Sequence, residues 1–189
     1  AMGILTGDAL LNYAFETASE AFAAYPDKSI EIGKALQVLA KKAGIYGMIG
    51  GQVVDVESVG SAVPKEVLDF IYELKTSALI ESSMMIGAIL AGASEKDVQT
   101  IEQIAKRVGI AFQIQDDILD VTSTTEVLGK PVLSDEKNDK STYVTLVGLE
   151  NAKSYVENIS MEAIQKLRHY ETKDLFLEDL LKALIHRKK

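Results

Sequence analysis

Gly109-Ile110-Ala111-Phe112-Gln113-Ile114-Gln115-Asp116-Asp117-Ile118-Leu119-Asp120-Val121 is an apolar, helix-spaced run broken by three carboxylates. On a helix, Asp116 and Asp120 lie one turn apart and project to one side. Asp117 flanks that pair by about 100° of rotation. Gln113 sits one turn earlier, on the side of Asp116 and Asp117. Such a cluster is costly to desolvate unless something positive stands between the acids. A hard divalent cation answers that need, because carboxylate and water oxygens suit Mg²⁺. The competing interpretation is a solvated acidic helix end near Val121. Acids oppose the helix dipole there, and the apolar flanks argue the same way. The run therefore points to an enzyme that handles a phosphate or diphosphate.

Outward from this run, helical periodicity dominates and β-branched alternation is scarce. A first helix is expected from Gly3 to Tyr25, closed by a turn at Pro26-Asp27-Lys28. Ser29 is expected to cap a second helix with Ile32, Leu36, Leu39, Ala40 and Ala43 on its core face. That helix is read as running on through Gly44, Gly47, Gly50 and Gly51, where glycine signals close approach of another helix or a ligand. Residues 56 to 63 read as a loop, and Pro64 opens a long apolar helix over Lys65 to Leu90 that Gly92 ends. Ser94 caps the next helix, with Asp97 in the capping-box position, and this helix carries the acids to about Val121. After a polar loop from Thr122 to Asp139, helices are expected over Lys140 to Asn158, from a Ser160 cap to Tyr170, and over Lys173 to Ile185. Seven or eight helices, no confident strand and no repeat give an all-α fold in a single domain.

The 189 residues suffice for one domain with a sizeable core. A formal charge of -8 speaks against nonspecific nucleic-acid binding. Cysteine is absent and only His169 and His186 are present, which excludes disulfides and cysteine- or histidine-rich metal sites. There is no signal-peptide pattern and no apolar run fit to span a bilayer, so the cytosol is the expected compartment. An Ala1 start reads as a trimmed or partial chain.

Several polar residues outside the acidic run are candidates for the same site. Lys75 lies in the most apolar helix, and its other reading is a buried stem with a snorkelling ammonium. Lys130 and Lys140 border the polar loop, and each alone reads as solvated surface. With a metal on the acids, the three lysines would clamp a diphosphate. Thr76 offers a hydroxyl. Gln52 and Asp55, after Gly50-Gly51, form a second polar spot, read equally well as a structural hydrogen-bond network.

These motifs together resemble the trans-isoprenyl diphosphate synthases of the polyprenyl synthetase family. Phe112-Gln113 through Asp116-Asp117-Ile118-Leu119-Asp120 is similar to the family's second aspartate-rich motif. Gly129-Lys130, Lys75-Thr76, Leu5-Thr6-Gly7-Asp8-Ala9-Leu10 and Gly51-Gln52-Val53-Val54-Asp55 fit other family segments. Lys140-Ser141-Thr142-Tyr143, with Gly148 to Ala152 after it, resembles the bacterial short-chain branch. The resemblance covers essentially the whole chain. It implies an isoprenoid synthase-type helical bundle and an Mg²⁺-dependent prenyltransferase, with Mn²⁺ as an alternative ion. Its substrates would be isopentenyl diphosphate and an allylic diphosphate, dimethylallyl or geranyl, with farnesyl diphosphate as product and geranylgeranyl diphosphate as the alternative.

By the same resemblance, Asp116 is the principal metal ligand, with Asp117 and Asp120 supporting it. Lys75, Thr76, Gln113 and Lys130 are the catalytic set. Lys140, Gln52, Asp55 and Arg187 join that set in binding substrate. Arg187-Lys188-Lys189 resembles tails that close over the isopentenyl diphosphate site; a solvated helix end is the other reading. Family members carry a first aspartate-rich motif upstream, and this sequence does not have it. Residues 1–189 are accordingly expected to be the C-terminal two-thirds of a single helical domain. Its N-terminal helices would be missing, the missing part would be a needed partner, and the chain alone would be inactive. A homodimer is expected. The alternatives are a helical terpene cyclase, which would not need the three lysines, and a non-catalytic subunit of a heteromeric synthase.

Overall fold

The computed structural model describes residues 1–129, 140–170, 175–185 and 187. Every regular element among them is helical. In chain order these are α1 (Met2–Ser19), α2 (Ala21–Ala24), a 3₁₀ turn (Pro26–Lys28), α3 (Ser29–Ala43), α4 (Met48–Glu57) and α5 (Lys65–Ile71). A π-helical turn (Tyr72–Ser77) joins α5 to α6 (Ala78–Leu90), followed by α7 (Glu95–Thr122) and α8 (Thr125–Leu128). Then come α9 (Tyr143–Val147), α10 (Leu149–Leu167) and α11 (Phe176–Ile185).

α7 is the axis of the bundle. Its 28 residues span about 42 Å, and α6, the π-turn and α10 pack along it. Ser94 opens it as expected, its Oγ accepting from the Asp97 N–H at 3.2 Å while its hydroxyl donates to Asp97 Oδ2 at 2.6 Å. One buried cluster joins Ala111, Ile114 and Ile118 of α7 to Leu68, Ile71, Tyr72, Tyr143, Ala152 and Val156. A second joins Ile104 and Val108, earlier on α7, to Ala163, Leu167 and Leu181. Fully burying a side chain such as Ile114 contributes about 1.5–3 kcal/mol, so the first cluster fixes the stretch of α7 that carries the acids.

The absence of N-terminal helices is corrected by the fold. The chain opens with the 18-residue α1, which carries three alanines and three leucines and no proline. α1 buries none of its residues. Met2, Ile4, Leu5, Leu10, Leu11 and Tyr13 all stand exposed on it.

Other expectations shift at glycine and serine. The second helix stops at Ala43, and the chain turns through Gly44 to Gly47 before α4. Ser29 lies inside α3 rather than capping it, and its hydroxyl donates back to the Pro26 carbonyl. Ser160 sits buried in the middle of α10, because the helix continues to Leu167. The break falls instead at Gly148, whose φ of 83° suits glycine. Among the described residues, no helix is long and apolar enough to cross a membrane.

Candidate functional site

The site forms where α4, the π-turn, α7 and the start of α9 converge. Two glycines allow that convergence. A Cβ on Gly51 would lie 2.3 Å from the Lys75 backbone nitrogen, and one on Gly109 would lie 2.5 Å from Ser77 Cα. α4 and α7 thus press on the π-turn from two directions, closer than any side chain permits. π-turns widen the helix locally and recur at functional sites, and this one carries Lys75 and Thr76.

Asp55 stands one helical turn after Gly51, on the same face of α4. Lys75 Nζ donates to Asp55 Oδ2 at 2.6 Å. Lys140 Nζ donates to the same oxygen at 2.9 Å and to Oδ1 at 3.2 Å. The two ammonium nitrogens are therefore no more than about 5.5 Å apart. At an effective dielectric of about 20, two such charges repel by about 3 kcal/mol. The carboxylate between them offsets this. Burial pushes the Asp55 carboxyl up, but the hydrogen bonds from Lys75 and Lys140 outweigh it and hold the group below its ordinary range. Thr76 Oγ1 donates to Gln113 Oε1 at 2.7 Å. Asp55, Lys75, Gln113, Asp117, Tyr72 and Lys140 line one pocket.

The three acids of α7 have different surroundings. Asp117 is only 3% exposed. Its Oδ2 accepts from the Tyr72 hydroxyl at 2.5 Å and from the Tyr143 N–H at 2.9 Å, so it ties the π-turn and α9 to α7. Asp120 is also buried. Asp116 has the most accessible carboxylate, its side chain 37% exposed. Arg187 Nη2 lies 3.3 Å from Asp116 Oδ1 and 3.0 Å from the Phe112 carbonyl, with its guanidinium 3.5 Å over the Phe112 ring. Among the described residues, no three acidic or histidine side chains converge as a metal cage.

Of the residues singled out in the sequence, Asp55, Lys75, Thr76, Gln113, Asp117 and Lys140 come together, while Asp116 pairs with Arg187 and neither lines that pocket. Gln52 is exposed on α4 and does not line that pocket. Lys130, Lys188 and Lys189 lie outside the described residues. Tyr72 and the Tyr143 backbone, which anchor Asp117, were not identified from sequence; a tyrosine in an apolar helix, needing a partner for its hydroxyl, was the available signal. Tyr143 also donates its hydroxyl to Asp69 Oδ1 at 2.9 Å. Burial pushes its phenol well above the ordinary value, so it remains a donor.

A family model described as Polyprenyl synthetase matches residues 1–180. The chain is 41% identical over 173 residues to a chloroplastic geranylgeranyl pyrophosphate synthase of Capsicum annuum, covering 91% of this chain and 46% of that protein. It is 38% identical over 175 residues to a farnesyl diphosphate synthase of Geobacillus stearothermophilus, covering 93% of this chain and 58% of that one. Its fold superposes with a TM-score of 0.81, at 32% identity, on a geranyltransferase from Helicobacter pylori complexed with magnesium and isoprenyl diphosphate, covering 96% of this chain and 58% of that one. The chain thus spans about half to three-fifths of the length of these relatives. The expectation of a C-terminal portion is corrected to a family match over nearly the whole of this chain. The family match opens at residue 1, and a geranylgeranyl diphosphate synthase of Cyanophora paradoxa aligns with 98% of the chain. A missing N-terminal part of the same polypeptide is not carried forward as a partner.

Proposed function

Since the chain belongs to the polyprenyl synthetase family, we propose that the protein carrying it is an Mg²⁺-dependent prenyltransferase. It joins isopentenyl diphosphate to an allylic diphosphate and releases diphosphate. The observation that carries this reading is the gathering of Lys75, Lys140 and Gln113 around one pocket, with Thr76 bonded to Gln113 and with Asp117, the neighbour of Asp116 on α7, in the same lining.

The residues fit Mg²⁺ in chemistry. That ion is ordinarily held by one or two carboxylates, with phosphate oxygens and waters completing its shell. Asp116 supplies the accessible carboxylate, and Asp120, one turn on, is the candidate to support it. Asp117 serves better as the acceptor that fixes Tyr72 and Tyr143. When bound, Mg²⁺ supplies positive charge against the diphosphate leaving group.

The chain's own residues do the rest. Lys75 and Lys140 hold diphosphate oxygens by charge-assisted hydrogen bonds. Their position favours charge build-up on that group as the allylic carbon–oxygen bond ionises. The Thr76 and Gln113 oxygens present dipoles toward the electron-poor allylic carbon. The double bond of isopentenyl diphosphate attacks this carbon to form the new carbon–carbon bond, and a proton passes to the released diphosphate to give the longer product. Lys130 is proposed as a further diphosphate ligand on the resemblance of Gly129-Lys130 alone, and Gln52 as a rim residue. Arg187, now on Asp116, is proposed to turn to substrate.

Farnesyl diphosphate is the proposed product, supported by the Lys140 to Tyr143 motif and the Geobacillus relative. Geranylgeranyl diphosphate is the second reading, favoured by the Capsicum relative. The exposed apolar α1 supports a homodimer, and the lack of a membrane-spanning helix among the described residues is consistent with the cytosol. The test is Asp116→Ala in the protein that carries this chain. Turnover should fall about 100-fold or more with the thermal midpoint unchanged. Full turnover under saturating Mg²⁺ and both substrates would defeat the assignment.

A further inference from the structure

We propose that Asp55 is a positioning residue whose carboxylate gathers Lys75 and Lys140 into one diphosphate-binding pair. The inference rests on the reading that this pocket takes a diphosphate, and it assigns Asp55 a part that is not contact with substrate. An anion has no attraction for another anion. What Asp55 offers is geometry, because one of its oxygens accepts from both ammonium groups, at 2.6 and 2.9 Å.

The lysines reach Asp55 from different parts of the chain. Lys75 comes from the π-turn, and Lys140 comes from the segment just before α9. Neither has a local reason to point at the other, and like charges at this separation repel. Asp55 is the shared counter-charge. It is well placed for this because Gly51, one turn earlier on α4, lets the helix touch the Lys75 backbone. The Asp55 side chain is 15% exposed against 33% and 27% for the two lysines. The carboxylate is therefore the more buried partner of each lysine, and all three line one pocket. A diphosphate arriving there meets two donors already aligned, at a spacing suited to oxygens on one phosphate chain. Order set before binding is not lost on binding, and affinity gains accordingly.

The experiment is a double-mutant cycle on inorganic diphosphate binding, read by calorimetry in the full chain. The proteins are wild type, Asp55→Asn, the Lys75→Ala/Lys140→Ala pair, and the triple variant. Asp55→Asn should weaken binding about tenfold, or about 1.4 kcal/mol, and Asp55→Glu should restore most of it. In the background lacking both lysines, Asp55→Asn should change affinity less than about twofold, since nothing is left to position. An equal loss in both backgrounds would overturn the proposal, as would tighter binding by Asp55→Asn, the result expected of a merely competing anion. Mn²⁺ titration followed by electron paramagnetic resonance should be the same for wild type and Asp55→Asn. Lost Mn²⁺ affinity would make Asp55 a metal ligand and overturn the positioning role. If the lysine pair weakens diphosphate but Asp55→Asn does not, positioning fails and the functional reading stands. If neither lysine matters, both fall.

Discussion

Gly51→Ala adds a single methyl group, and the structure says where it goes. Its Cβ would lie 2.3 Å from the Lys75 nitrogen and 2.8 Å from both the Leu74 carbonyl carbon and Leu74 Cβ. Two of these atoms are backbone, so no side-chain rotation clears the space. Reaching van der Waals contact needs a displacement of about 1 Å, and overpacking of this kind costs about 1–3 kcal/mol. Alanine recovers up to about 1 kcal/mol of helix propensity, leaving a net loss of about 0–3 kcal/mol. Function should suffer more than stability. A 1 Å shift of the π-turn takes Lys75 out of its 2.6 Å bond to Asp55, and misplacement on that scale costs up to about 100-fold in rate. Gly33→Ala is the matched control. A Cβ there meets nothing within 4 Å, so it should stabilise by about 0.5–1 kcal/mol. Urea unfolding and diphosphate calorimetry on both variants read the two effects. If Gly51→Ala is as stable as Gly33→Ala and binds diphosphate like wild type, the close approach of α4 to the π-turn is not what builds the site.

Asp117→Asn removes the charge that accepts from Tyr72 and Tyr143. It should cost about 2 kcal/mol, or about 4–8 °C in thermal midpoint, while leaving Mn²⁺ affinity within about threefold; an unchanged midpoint with lost Mn²⁺ binding would make it a metal ligand instead. Lys42 bridges Glu81 and Glu102, and burial already pushes the carboxyl of Glu81, 4% exposed, above its ordinary range. Lys42→Met strands that buried acid and should cost about 3–5 kcal/mol at neutral pH. The loss should shrink as Glu81 protonates at lower pH and be largely removed by adding Glu81→Gln; urea unfolding at pH 7 and pH 5 checks both. Arg168, then Lys182, hold the Glu178 carboxyl down at about 2 against an ordinary 4.5. A depressed acid stabilises the fold above its unfolded value, and this contribution fades as pH falls from about 4.5 toward 2. Glu178→Gln should therefore flatten the acid limb of the stability profile, and salt should weaken the effect because Arg168 is 59% exposed.

The features legible in the sequence were those with local causes. The three- and four-residue spacing gave the all-helical class and placed α7, and Ser94 with Asp97 marked its start. The π-turn was not legible. Its widened register depends on Gly51 and Gly109 pressing from two other helices, and single-chain periodicity carries no trace of that. Ser160 shows the same limit: a serine before a helical stretch reads as a cap, but Ala152, Val156 and Ala163 bury the face around it and the helix runs through. Lys75, Lys140, Thr76, Gln113 and Asp55 meet as a group, although Lys75 and Lys140 stand 65 positions apart. Their roles were harder to read. Asp117 reads from the sequence as a ligand supporting Asp116, and only its burial against Tyr72 and Tyr143 assigns it to anchoring instead. Arg187 reads from the sequence as part of a tail over the isopentenyl diphosphate site or as a solvated helix end, and its 71-position separation from Asp116 hid their contact.

Condensation itself tests the central claim most directly. Purified protein carrying this chain would be incubated with Mg²⁺, isotopically labelled isopentenyl diphosphate and either dimethylallyl or geranyl diphosphate, and the products resolved by mass. The account predicts a labelled prenyl diphosphate, farnesyl in length, that disappears with chelator and with Asp116→Ala. Label that stays in isopentenyl diphosphate, with folded protein and both allylic substrates present, would contradict it.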